Sequence, residues 1–521
     1  MNTTEFLNVT SLIVPERTAI VFDGKRFSFS ELSERVNRLA NGLQNLGVGK
    51  GDRIAAMQVN CNEYIEAYFA AAKLDAVYVP MNFRARAEEI EYMVKDSAPK
   101  VFISGGRYIP MLDELRPNIP SVENFICLDG ANSEGWVNYD ELLENSSTEE
   151  LFPLDDGDDL SMVMFTAGTT GSPKGVMLSH ESFSSYILSN VSPVEMDIEE
   201  KNILTVPLYH IAGVQAVIAA IYGGRTLIIQ RQFEPIEWMT LVQDELADRA
   251  MMVPTMLKML MDHERFDDFD LSSLRVITYG AAPMPLEVIK TAIAKFPGTH
   301  FINAFGQTET AATITMLPPE DHILEGDEQE IEKKLKRLTS IGKPLPDVDV
   351  RIVDEDGSEV ALGETGEIVA GGGRLMKGYW NQEEATAQAL KGGWLYTGDL
   401  GYFDEDGYIF LSGRAKDFIK RGGEMVSPEE VEQVLHSHPS IDEAAIIGIP
   451  DLNWGERVRA VVVAKPGASI DESEVIEYCR SKMSSYKKPE SIVVVDSLPR
   501  NPLGKVLKRV LREQYNEPIT D

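Results

Sequence analysis

Cysteine is nearly missing from this chain: 521 residues contain three, Cys61, Cys127 and Cys479. So few, so widely separated, they exclude a disulfide framework and a cysteine metal cluster, suit a reducing compartment, and read as packing residues. Positive charge is also scarce. Lysine and arginine total 49 against 83 acidic side chains, a net charge of −34, which argues against non-specific binding to nucleic acid or anionic lipid. No apolar run approaches the roughly 20 residues that span a bilayer, and no basic-then-apolar start marks a secretory leader. A cytoplasmic protein without an integral membrane segment is expected, in which an anionic substrate must be held by local basic groups.

What is present is length and hydrophobic content. With 43% hydrophobic residues the chain is globular, and its length exceeds one compact core, so two to four domains are expected. From Thr18 to about Val101 short apolar runs alternate with amphipathic ones. Ala19 to Phe22 reads as a strand, and a helix opened by Ser30-Glu31-Leu32 carries Val36, Leu39 and Leu43 up to Gly47. The alternation recurs beyond residue 200 and predicts an α/β fold, with parallel or mixed sheets flanked by helices. Residues 322–338 are charged and amphipathic, hence a surface helix or insertion. From about Gly342, short strands with tight Asp-Gly turns predict a β subdomain. Past Arg414 a helix over 428–436, strands over 443–449 and 458–465, a helix over 472–482 and a strand over 492–496 make a small α+β unit.

One stretch is chemically distinctive. Phe165-Thr166-Ala167-Gly168-Thr169-Thr170-Gly171-Ser172-Pro173-Lys174-Gly175 follows a strand-like run. Glycines let the backbone approach an anion, hydroxyls and successive N–H groups can meet phosphate oxygens, and Lys174 adds a charge. Alone, the stretch reads equally as a Gly/Ser/Thr turn. It is not the usual nucleotide P-loop, because Pro173 stands where that loop needs glycine before its lysine.

Five further stretches accompany it in order: Gly280-Ala281-Ala282-Pro283, Asn303-Ala304-Phe305-Gly306-Gln307-Thr308-Glu309, Thr397-Gly398-Asp399-Leu400, Gly413-Arg414-Ala415-Lys416-Asp417, and Pro499-Arg500-Asn501-Pro502-Leu503-Gly504-Lys505. Together the six resemble the motif set of the AMP-forming adenylate-forming superfamily and, within it, the acyl-CoA synthetases. The resemblance implies a large N-terminal domain, residues 1–415 with a β subdomain at about 340–415, and a small C-terminal domain, 416–521, on a hinge. It implies an ATP-dependent carboxylic acid–coenzyme A ligase, forming an acyl-adenylate and then a thioester, with ATP, Mg²⁺ and coenzyme A. The partner is a small carboxylic acid, and relatives occur as monomers and as homodimers. The runner-up is a stand-alone adenylation enzyme that loads an acid onto a carrier protein. That reading is disfavoured because His210-Ile211-Ala212-Gly213 stands where amino-acid adenylation domains show a Phe-Asp pair.

The resemblance also implies roles. Thr166, Ala167, Gly168, Thr169, Thr170, Gly171 and Lys174 hold the departing phosphates, with Ala167 replacing a common serine. Gly280, Ala281 and Ala282 wall the nucleotide, Asn303 meets the adenine edge, Phe305 stacks on it, and Ala304, Gly306, Gln307 and Thr308 complete that motif. Glu309 coordinates Mg²⁺. Asp399 holds the ribose hydroxyls with help from Arg414. Lys505 is the catalytic lysine. Thr166 and His210 also belong to the catalytic set, although His210 is not a general base, since a carboxylate nucleophile is already ionised at neutral pH. Asp417 is the hinge. Lys420, Gly422, Gly423, Trp454, Tyr486 and Lys488 are the coenzyme A candidates, and Met425 departs from the family pattern. The acyl pocket is expected from Tyr209, His210, Val214, Tyr279, Ala281, Ala304 and Ala311. With no charged residue expected in that pocket, an apolar fatty, alicyclic or aromatic acid is favoured.

Overall fold

Apolar strands and amphipathic helices assemble into two large sheets in the computed structural model, which describes residues 1–130, 133–154, 159–166, 173–414, 417–421, 424–451, 454–501 and 504–519. The nine-stranded sheet sets Lys201–Leu204, Arg249–Met252, Val276–Gly280 and His300–Gln307 side by side in parallel. Its neighbour has eight strands, with Arg53–Met57, Val77–Pro80 and Leu160–Thr166 parallel at its centre. These parallel strands are nearly all apolar because helices cover both faces.

The helix Phe29–Asn45 starts ahead of the expected Ser30 because Ser28 is its cap. Ser28 Oγ accepts from the Glu31 N–H at 3.1 Å and the Glu31 carboxylate accepts from the Ser28 N–H at 2.7 Å, which satisfies two orphan donors of the first turn. Leu32, Val36, Leu39 and Leu43 are fully buried, as the period requires. The segment at 322–338 is only partly a surface element. The helix Glu328–Arg337 buries nothing, but His322 is 3% exposed and its Nε2 lies 2.9 Å from the Tyr279 hydroxyl. All three cysteines are buried and free, and among the described residues no helix is long and apolar enough to cross a membrane.

The antiparallel strands Asp349–Val353, Gly366–Gly371, Trp394–Phe403 and Ile409–Arg414 form the β sheet expected after residue 340. Beyond it lies the smaller α+β domain. Its long hairpin Ile441–Asp451/Gly455–Ala464 carries Ser491–Val494 in parallel and is flanked by helices Pro428–His436 and Glu472–Lys482. Ile419, Val431, Ile446, Val458 and Cys479 give it its own core. The small domain meets the large one through an ion pair, Lys258 Nζ to Asp442 Oδ1 at 3.1 Å.

Candidate functional site

The two ends of the Gly/Thr-rich stretch are paired strands. Leu160–Thr166 and Lys174–Ser179 pair antiparallel with Thr166 opposite Lys174, so the stem brings these two side by side. Ala167, Gly168, Thr169, Thr170 and Gly171 lie outside the described residues. From the stem the site builds outward through Tyr379. Gly378–Tyr379 pairs with the second hairpin strand. The Tyr379 ring sits 4.8 Å from Lys174 Nζ, and its hydroxyl donates to Glu309 Oε1 at 3.0 Å. The Glu309 carbonyl also accepts from the Met376 N–H at 2.8 Å. Burial, with the adjacent Glu309 charge, pushes the Tyr379 phenol upward, so it remains a donor. Tyr379 escaped the sequence reading; its signal is Gly378-Tyr379-Trp380, a glycine with left-handed φ of 140° ahead of two aromatics.

Glu309 follows the strand His300–Gln307, whose two faces separate two functions. Ile302 and Ala304 face a cavity under the helix Ile211–Tyr222, while Asn303 and Phe305 alternate to the other side. There Phe305 packs toward Ile341, Ile352 and Ile368 of the β subdomain, and Asn303 Nδ2 donates to the Ser340 carbonyl at 3.2 Å. Gly280 pairs with Ala304, and a Cβ on Gly280 would collide with the Ala304 carbonyl oxygen. Gly306 is constrained in the same way by Ala312. Ala281, Ala311 and Ala312 hold left-handed φ of 65°, 48° and 83°. Such backbone costs about 1–3 kcal/mol per residue and collects where structure is specified for function. Ala282 is half-buried beside Ala281, and Thr308 half-buried beside Glu309. Gln307 Nε2 donates to the Thr397 carbonyl at 3.4 Å, tying this motif to the next.

Asp399 and Arg414 face each other across neighbouring strands, Arg414 Nε to Asp399 Oδ1 at 2.8 Å. Asp399 is buried, and the Arg414 charge also reaches Tyr379. Lys505 comes to this pair from the small domain. Its loop rests on the large domain, where Gly504, at φ 75°, packs so closely on the Thr255 side chain that a Cβ would not fit. Asn501 Oδ1 accepts from the Lys505 N–H at 2.9 Å. The Lys505 side chain meets solvent, yet it stands in the cleft. Partial desolvation there, then the like charge of Arg414, holds its ammonium below the ordinary lysine range, with Asp399 and Asp417 opposing. Asp417 accepts from Arg512 Nη2 at 2.9 Å, and its N–H donates to the Arg414 carbonyl at 2.8 Å.

Of the coenzyme A candidates, Trp454, Tyr486 and Lys488 lie around Arg421 on the small domain. Arg421 stacks over Trp454 at 5.3 Å, donates to the Tyr486 carbonyl at 2.6 Å, and pairs with Glu490. Burial lowers the Lys488 pKa; Glu490 opposes, while Arg480, Arg421 and Arg457 lower it further. Lys420 is exposed nearby, and Trp454 is half exposed. Gly422 and Gly423 lie outside the described residues. Glu309 fits a magnesium ion as a hard oxygen donor already oriented by Tyr379. A single protein carboxylate suffices when phosphate oxygens complete an octahedron.

The seven residues expected for the acyl pocket can be set against one cavity of the structure. A cavity of about 470 Å³ lies between the helix Ile211–Tyr222 and the nine-stranded sheet, and of the seven expected residues only Ala304 is on its lining. Val214 and Ala311 belong to the apolar core, and Tyr279 is on the opposite sheet face against His322. Ala281 is exposed at the strand end. Tyr209 packs edge-on to Phe83 at 5.4 Å, and burial raises its phenol to about 12. His210 is the N-cap residue of the helix, its pKa pushed down to about 3 by burial, then by the Arg84 charge. The helix face on the cavity is instead Ala212, Gln215, Ala216 and Ala219, and the sheet supplies Val276, Thr278 and Thr313. Nor is the lining uncharged, since Glu200, Arg225 and Arg249 stand at its far end.

Comparison with known proteins agrees with this geometry. Residues 13–380 match the model of the AMP-binding enzyme family and 430–505 that of the AMP-binding enzyme C-terminal domain. The chain is 35% identical to a long-chain-fatty-acid–CoA ligase of Mycobacterium tuberculosis, over 95% of this chain and 94% of that one. It is 34% identical to a feruloyl-CoA synthase of an Amycolatopsis species over 96% of each. ATP-bound MatB from Rhodopseudomonas palustris superimposes with a TM-score of 0.88 at 30% identity, over 99% of each chain. Motifs in order, two matched domain models and relatives aligned end to end place this chain in the AMP-binding enzyme family, among the AMP-forming acyl-CoA synthetases of the adenylate-forming superfamily.

Proposed function

We propose that this protein joins an apolar-bodied carboxylic acid to coenzyme A in two steps, adenylation by ATP and then thioester formation. The observation that carries the reading is the Asp399–Arg414 pair with Lys505 within electrostatic reach of it, beside a Tyr379 that contacts both Glu309 and Lys174. In the first step the acid's carboxylate attacks the α-phosphate; an O–P bond forms and pyrophosphate leaves. Lys174 and the hairpin hold the departing phosphates, Asp399 accepts from the ribose hydroxyls, and Lys505 stabilises charge developing between carboxylate and phosphate. Glu309 would hold a magnesium ion, which would supply positive charge against the phosphates.

In the second step the thiol of coenzyme A attacks the acyl carbon, giving thioester and AMP. The small domain, turning about Asp417, would bring the Trp454–Lys488 patch to the nucleotide portion of coenzyme A. His210 caps the helix beside the cavity and stays neutral, so it shapes the site rather than moving a proton. The test is a panel of carboxylic acids with ATP and Mg²⁺, with and without coenzyme A, reading pyrophosphate and thioester separately. Pyrophosphate release followed by thioester on free coenzyme A is expected. Adenylate that transfers only to a carrier protein would move the acceptor assignment, and no adenylate from any acid would overturn the reading.

A further inference from the structure

The cavity beside the nucleotide site has a mixed lining, with Ala212, Ala216, Ala219 and Ile302 beside the polar Gln215, Asn202, Arg225 and Arg249. Gln215, 8% exposed, has no partner for Nε2 among the described residues, and neither has Asn202 Oδ1. Both line the cavity. Also on the lining, and partly open to solvent, one carboxylate serves two arginines. Glu200 accepts from Arg225 Nε at 2.5 Å and from Arg249 Nη1 at 3.0 Å, and among the described residues each guanidinium makes that one hydrogen bond. A guanidinium carries five N–H donors, so donors remain. A buried amide without a partner loses hydration for nothing, and native structures rarely leave one so. A structural ion-pair triad accounts for Glu200, Arg225 and Arg249; it does not account for Gln215 and Asn202.

We infer that the acid this site accepts carries an oxygen at the end remote from its reacting carboxyl, a hydroxyl or a second carboxylate. Gln215, Asn202 and the arginine pair receive it. The inference rests on the proposed function, and takes the reacting carboxyl to lie at the end of the cavity where Ala304 pairs with Gly280. From Gly280 to Val276, level with Arg249 in the sheet, four residues of strand span about 13 Å. An extended chain advances about 1.2 Å per bond, so an acyl chain of about ten to twelve carbons reaches the polar end.

The test compares kcat/KM for decanoic, 10-hydroxydecanoic and decanedioic acids, with ATP, Mg²⁺ and coenzyme A, in the wild type, Gln215→Leu and Arg249→Met. At least one oxygen-ended acid should exceed decanoic acid by about tenfold or more, as for a site built to hydrogen-bond its substrate. Gln215→Leu should shrink that ratio by about fivefold or more. Preference for 10-hydroxydecanoic acid identifies a neutral partner for the amides, and preference for decanedioic acid a carboxylate on the arginines. Decanoic acid used as well as both would overturn the inference and leave the ligase reading standing. So would turnover confined to acids too short to reach Gln215. The wild-type ratio decides even where a variant does not fold, and absence of adenylation with every acid would remove both readings.

Discussion

Lys505→Ala removes a small-domain cation that lies within electrostatic reach of Asp399 and Arg414. If Lys505 stabilises charge developing in the adenylation transition state, the loss falls on that half-reaction alone. Removing one preorganised donor costs about 10²–10³ in rate, or about 3–4 kcal/mol; a full charge belongs at the upper end. ATP–pyrophosphate exchange should therefore drop about 10³-fold, while thioester formation from supplied acyl-adenylate stays within about threefold of wild type. The pH profile carries a second signature. Lys505 is protonated only below its lowered pKa, so adenylation should fall as pH rises through that value, earlier than an ordinary lysine would dictate. For stability the sign is opposite: the unfolded chain binds this proton more tightly, so the contribution of Lys505 to stability improves as pH rises from the lowered pKa to the ordinary one. Residual exchange in Lys505→Ala should lack the alkaline limb. Exchange within about tenfold of wild type, or the same limb in the variant, would refute the assignment.

Glu309→Gln keeps the Tyr379 contact but removes the charge offered to magnesium, so exchange should fall about 10²-fold and require more Mg²⁺; an unchanged Mg²⁺ titration would argue against a metal role. Because His210 binds its proton only near pH 3, His210→Ala should change rates without moving any pH limb between 5 and 9, read from kcat/KM profiles. A limb that vanishes with His210 would contradict its neutrality. Asp417→Pro deletes the N–H bond to Arg414 and fixes φ, so adenylation and thioester formation should separate by at least about tenfold. Equal loss of both would count against a hinge.

Much of the fold was legible, and its boundaries followed caps. Helices over 428–436 and 472–482 matched their expected ends because Ser427 and Asp471 cap them. The start at Phe29 was legible too, in the spacing Ser28-x-x-Glu31, where Ser30 misled. The motif residues were legible through resemblance, and the geometry joins them through Tyr379, a residue that none of the motifs contains. The cavity was not legible, for two physical reasons. The helix Ile211–Tyr222 is apolar nearly all round, so its period cannot say whether Val214 or Ala212, Gln215 and Ala216 face the sheet. Glu200, Arg225 and Arg249 come from separate segments. They meet only because the strand Lys201–Leu204 lies between Thr226–Ile229 and Arg249–Met252, and strand order is not written in local sequence.

A chain of net charge −34 that handles a polyphosphate needs a reason, and the placement of its cations supplies one. Surface charge more than about 8 Å away is largely screened at physiological ionic strength, so under the proposed function the nucleotide would meet Lys174, Arg414 and Lys505. These three sit on separate elements, and under the proposed function Lys505 would arrive when the small domain docks Gly504 at Thr255. Docking carries a cost, since it partly desolvates the ammonium and sets it near Arg414; both effects lower its pKa. An anion between the two cations turns their repulsion into a shared attraction and restores the ammonium. ATP should therefore favour the docked arrangement, and by linkage the docked arrangement must bind ATP more tightly by the same factor. Once pyrophosphate has left, much of the charge holding Lys505 in place has gone, and release of the small domain toward the thiol step follows from the same electrostatics that closed it.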